Sequence, residues 1–135
     1  MKRRFAVCAM LVLGLSAATA NAFQSLPKYL KDAYKDDPEY KAFLETVEEL
    51  KTKCDVCHKP GADKKARGHG LNDFGKVYHD RFDHKGFSTA DKEKKTDEAM
   101  KLFKETWEKS IKEKNADGKL FSDLIKDGKL PGKND

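Results

Sequence analysis

Apolar residues recur along this chain at two different spacings. From Phe5 to Ala18 they run almost without interruption, whereas beyond residue 36 they return every three or four positions among charged neighbours. The second spacing is that of a helix with one buried side, because residues three and four apart share a face. It predicts a helix beginning at Asp37-Pro38-Glu39, with Asp as N-cap, Pro at the first helical position and an acid in the first turn. Phe43, Val47, Leu50 and Cys54 continue its stripe, so this helix is expected to run directly into Cys54-Asp55-Val56-Cys57-His58. A short helix is expected after an N-cap at Asn72 or Asp73, with Phe74, Val77, Tyr78 and Phe82 on one face and a break at Asp83-His84-Lys85-Gly86. The longest helix starts between Ser88 and Thr96, carries Ala99, Met100, Phe103, Trp107 and Ile111, and is ended by Asn115 and Gly118. A last short helix covers about Leu120 to Lys126, and residues 23–36 read as an irregular lead-in with a helical turn around Tyr29 to Tyr34. No segment alternates with the period of a strand, so the predicted class is all-α.

The uninterrupted run has another meaning. It follows the basic start Met1-Lys2-Arg3-Arg4 and precedes Ala20-Asn21-Ala22, which together make a secretory signal peptide cleaved after Ala22. About fourteen apolar or small residues are too few for a permanent span, and Cys8 lies inside the run, away from the position of a lipoprotein cleavage site. The expected organisation is a signal peptide over 1–22 and one domain over 23–135, exported to the periplasm without a membrane span. Charge changes with it. The formal +5 includes Lys2, Arg3 and Arg4, and without them 25 basic residues face 23 acidic ones, a net of +2. Such a balance gives no argument for nucleic-acid binding.

Loss of the leader removes Cys8 and leaves Cys54 and Cys57, spaced by two residues and followed by His58. This is the attachment signature of a c-type haem. Two thiols on one side of a single turn add across the two vinyl groups of the porphyrin, and the adjoining imidazole supplies the proximal iron ligand. Zinc would need two further ligands, which no second Cys pair or His-x-x-x-His provides. A redox dithiol belongs at a helix start in an alternating β/α pattern, which is missing here. One covalent haem c, held by Cys54 and Cys57 with His58 on the iron, is the reading that remains. The candidates for the sixth ligand are His79, His84 and Met100, with His79 slightly preferred; Met100 on an apolar stripe also reads as core filler. Glu113-x-Asn115-x-Asp117-Gly118 imitates half of a calcium loop, but its twelfth position is Leu124, where a bidentate Glu is required.

The order of helix, CxxCH, loop and long final helix is similar to that of class I cytochromes c. In that family a glycine-rich loop at about the position of Gly68 to Leu71 returns against the proximal side, which implies that His69 lies on the side of His58. The chain resembles small monohaem c-type proteins of planctomycetes more closely. The resemblance rests on Cys54 to His58, a lysine-rich linker, Asn72-Asp73-Phe74-Gly75 (like their Asn-x-aromatic-Gly) and the ending Asp117 to Phe121 through Gly128 to Gly132. The two-subunit small haem c protein of anammox bacteria is of this kind, and is associated with a His/Cys-ligated haem and nitric oxide binding. This chain has no further cysteine after the leader, so thiolate ligation does not carry over.

The expected function is periplasmic electron transfer to a redox partner protein. Diatomic-gas binding or sensing, and a small haem subunit of a larger redox complex, are the alternatives. Paired carboxylates, a nucleophile with its base and a phosphate-cradling loop are all lacking, so the chain is read as a non-enzyme. The oligomeric state stays open between a monomer, a homodimer and a heterodimer. Lys59, Lys64, Lys65 and Arg67 follow the motif closely and read either as a ring steering an acidic partner or as a solvated basic surface.

Overall fold

A chain with so few large aliphatic side chains must build its interior from aromatic rings, and these set the architecture. The computed structural model describes residues 24–62 and 70–132. The expected signal peptide and its cleavage point, together with Lys64, Lys65, Arg67 and His69, lie outside the described residues. Six helices follow one another: α1 (Leu26–Tyr34), α2 (Lys41–Glu49), α3 (Asp73–Arg81), α4 (His84–Lys92), α5 (Thr96–Ser110) and α6 (Phe121–Lys126). Two 3-10 turns, Pro38–Tyr40 and Lys53–Val56, precede α2 and follow it. Among the described residues there is no strand, only isolated bridges between His58 and Leu71 and between Lys114 and Leu120. The all-α class holds.

α5 is the central element. Its stripe of Ala99, Phe103 and Trp107 is buried, while Met100 and Ile111 are half-buried at its margin. Around the Trp107 indole stand Phe74 at 5.1 Å, Phe103 at 5.7 Å, Phe43 at 6.1 Å and Tyr78 at 6.2 Å between ring centroids. Its Nε1 donates to the Tyr40 hydroxyl at 3.2 Å. The indole thus packs against rings from α2, α3 and α5 itself and satisfies its one polar atom, as a buried Trp requires.

Four local expectations need correction. Residues 26–34 form a full helix, because Leu26, Tyr29, Leu30, Ala33 and Tyr34 are themselves a helical stripe. Tyr29, Leu30 and Tyr34 are buried. Ser25 Oγ and Tyr29 Oη both donate to the Asp91 carboxylate in α4 at 2.9 Å, fastening α1 to α4. α2 stops at Leu50, whose backbone turns extended, and the Lys53 ammonium donates to the Glu48 carbonyl at 2.9 Å over the helix end. The cysteine motif therefore makes its own turn and does not continue α2. Asp83 to Gly86 starts a helix where a break was predicted: the Asp83 carboxylate accepts from the Gly86 amide at 2.9 Å and caps α4. α5 ends at Ser110, and Asn115 to Gly118 make a separate turn in which Asn115 Oδ1 accepts from the amides of Asp117 and Lys119. α4 and α5 part at Lys94, the one described non-glycine residue with positive φ (58°).

Candidate functional site

The 3-10 turn over Lys53–Val56 places both cysteines within one tight loop of backbone. The Cys54 carbonyl accepts from the amides of Cys57 at 3.1 Å and His58 at 3.0 Å, so the pair and the histidine after it form one hydrogen-bonded unit. Cys54, Cys57 and His58 are half-buried, and neither cysteine is in a disulfide.

What fixes this turn is Asn72, which has no exposed surface. Its backbone amide donates to the Cys57 carbonyl at 2.9 Å and its Nδ2 to the Val56 carbonyl at 3.1 Å. Its Oδ1 accepts from the Gly75 amide at 2.7 Å, which makes the same side chain the N-cap of α3. One residue thereby clips the cysteine turn to the start of a helix sixteen positions on. Beside it the Lys59 amide donates to the Gly70 carbonyl at 2.8 Å. Two glycines permit the approach. A Cβ on Gly75 would run into the Cys57 carbonyl, and one on Gly132 would run into the Asn72 carboxamide. Pro131 and Gly132 are buried over the clip. The N-cap role of Asn72 follows from its type and position, but its hold on Val56 and the part played by Pro131-Gly132 leave no periodic signal. The Asn-x-aromatic-Gly pattern is the one sequence trace of this device.

Burial, and secondarily the neighbouring Cys54, pushes the Cys57 thiol up to about 12. It is therefore protonated at neutral pH, the opposite of the depressed value that a catalytic or redox thiol needs. Burial also pushes the Tyr78 phenol up, with smaller contributions from Cys57 and Tyr34. The Tyr78 hydroxyl and Asp55 Oδ1 are each buried without a hydrogen-bond partner among the described residues.

The histidines separate into two places. His58 sits on the cysteine turn, while His79 near the end of α3 and His84 at the start of α4 come together with ring centroids 4.3 Å apart. Met100 stays on α5, packed against the aromatic core. No group of three or more His, Cys, Asp or Glu side chains able to hold a metal ion occurs among the described residues. Two surface clefts of about 420 and 460 Å³ lie along α1–α2 and around the turn before α6, and neither is lined by Cys54, Cys57 or His58. No helix among the described residues is long and apolar enough to cross a membrane.

The donor set fits a covalent haem. It offers two cysteines on one hydrogen-bonded turn, an imidazole on the next residue, and the start of α3 packed directly against that turn. No protein-family model, curated protein or solved structure matches the chain.

Proposed function

We propose that this is a small helical c-type cytochrome of the periplasm, carrying electrons on one haem attached through Cys54 and Cys57. The observation that supports it best is the clipped turn, which holds Cys54, Cys57 and His58 together on one hydrogen-bonded stretch of backbone. A bound haem c would supply a reversible one-electron iron couple whose potential follows from its axial ligands and its burial. The protein's own residues do the rest. Cys54 and Cys57 fix the position of the group, and His58 takes the proximal side. Asn72 keeps the backbone that carries all three from shifting. His79, His84 and Met100 remain the candidates for the distal side, and exposed Lys59, immediately after His58, offers positive charge to a redox partner.

The test is mass spectrometry of the exported protein, with an absorption spectrum of the reduced form under carbon monoxide. A mass equal to the chain from Phe23 plus one haem, with a spectrum that carbon monoxide leaves unchanged, is the expected result. The mass of the bare chain would refute haem attachment. One haem with a shifted spectrum would replace electron transfer by gas binding.

A further inference from the structure

Gly75 and His79 are four residues apart on α3 and share one face of it. Gly75 lies against the Cys57 carbonyl, so His79 stands one turn further along the face that meets the cysteine turn. The chain then passes Phe82 and enters α4 at His84, whose Nε2 lies 3.2 Å from the His79 carbonyl oxygen. A carbonyl only accepts, so His84 Nε2 carries the proton and donates it there. The same carbonyl accepts from the Phe82 amide at 3.3 Å. The two imidazoles pack at 52° with 4.3 Å between centroids, and the buried Phe82 ring meets His84 edge-on at 5.2 Å and 79°. His84 is thus wedged between His79 and Phe82, with Nε2 committed to the backbone at residue 79. An imidazole reaches a porphyrin iron most easily through Nε2, because Nδ1 is crowded by its own Cβ.

We propose that His84 is a positioning residue: it holds His79, through the residue 79 carbonyl and by ring packing, as the sixth iron ligand. This rests on the haem reading above. The orienting element is the ring contact with His79, anchored by the bond to the backbone; loss of a partner that orients a metal-ligating histidine typically costs 10–100-fold in affinity or activity. His84 closes the last turn of α3 and restricts the rotamers of His79, so the ligand pays less ordering entropy on binding.

The experiment uses the exported, haem-loaded full chain as wild type, His79→Ala, His84→Ala and His84→Gln. Haem content is read by mass, folding by circular dichroism, spin state by ferric electron paramagnetic resonance, and carbon monoxide association by rapid mixing after reduction. The wild type is expected to be low-spin, and His79→Ala high-spin with fast carbon monoxide uptake. His84→Ala should stay mostly low-spin with shifted g values and carbon monoxide association faster by about tenfold. His84→Gln, whose amide can donate to the same carbonyl, should return towards wild type. A high-spin His84→Gln, a low-spin His79→Ala, or a His84→Ala indistinguishable from wild type would each overturn the positioning role while leaving one haem per chain intact. A wild type without haem would instead overturn the reading it rests on, and the positioning role with it.

Discussion

Replacing Asn72 by Ala removes two different supports at once, and their sizes can be worked out separately. Loss of Oδ1 leaves the Gly75 amide without its cap, an effect of about 1 kcal/mol at a helix N-terminus. Loss of Nδ2 leaves the Val56 carbonyl without that donor inside the protein, about 1–3 kcal/mol. The sum is about 3 kcal/mol, or on the order of a hundredfold in the unfolding equilibrium at 1.4 kcal/mol per decade. For a domain of this size it corresponds to a fall of roughly 12 °C in Tm. Urea titration followed by Trp107 fluorescence measures it directly, since the indole lies against Phe74 in the helix that Asn72 caps. Asn115→Ala is the control: its Oδ1 also accepts from two amides, but in an exposed turn, and the loss should stay below about 1 kcal/mol. If Asn72→Ala cost no more than Asn115→Ala, the clip would not be what holds the cysteine turn.

Two further outcomes follow from the same site. Gly75→Ala should destabilise by at least about 3 kcal/mol, because overpacking here meets backbone that has nowhere to move; a variant with near-native urea midpoint would contradict the close approach of α3. In haem-free protein the Cys57 thiol should resist iodoacetamide at pH 8, with stability falling as pH rises. An acid whose folded value lies above its ordinary 9.0 stabilises the fold below that value, and the contribution is lost between about 9 and about 12. Rapid alkylation of Cys57 in the folded protein at pH 8 would refute its burial.

The parts of this fold that are legible in sequence are those fixed within a few residues. The cap at Asn72, the stripe Ala99–Phe103–Trp107 and the final helix before Gly128 all depend on local spacing and local hydrogen bonds. α1 is hard to read because two of the five positions in its stripe are tyrosines set among Lys and Asp, which count as polar until the rings are seen to stack, Tyr34 on Tyr40 at 4.0 Å. α4 was hidden because Asp83 and Gly86 are residues of both a break and a cap, and only the carboxylate-to-amide bond tells the two apart. In the site, Cys54, Cys57 and His58 are adjacent in sequence and so declare themselves. Asn72 with Val56, Gly132 with Asn72, and His79 with His84 are long-range or rotamer-dependent pairings, which spacing does not encode.

The bonds from Lys59 to Gly70 and from Asn72 to Cys57 tie both ends of the intervening segment at its base. A ring closed in this way separates the length of the segment from the geometry of what it connects. Doubling its length would cost only about 0.6 kcal/mol in closure entropy, and an insertion would pull first on the Lys59–Gly70 bond, the tied pair nearer the segment. Chain length can therefore vary between Lys59 and Gly70 at little cost, while the bonds from Lys59 to Gly70 and from Asn72 to Cys57 keep the cysteine turn in register with α3.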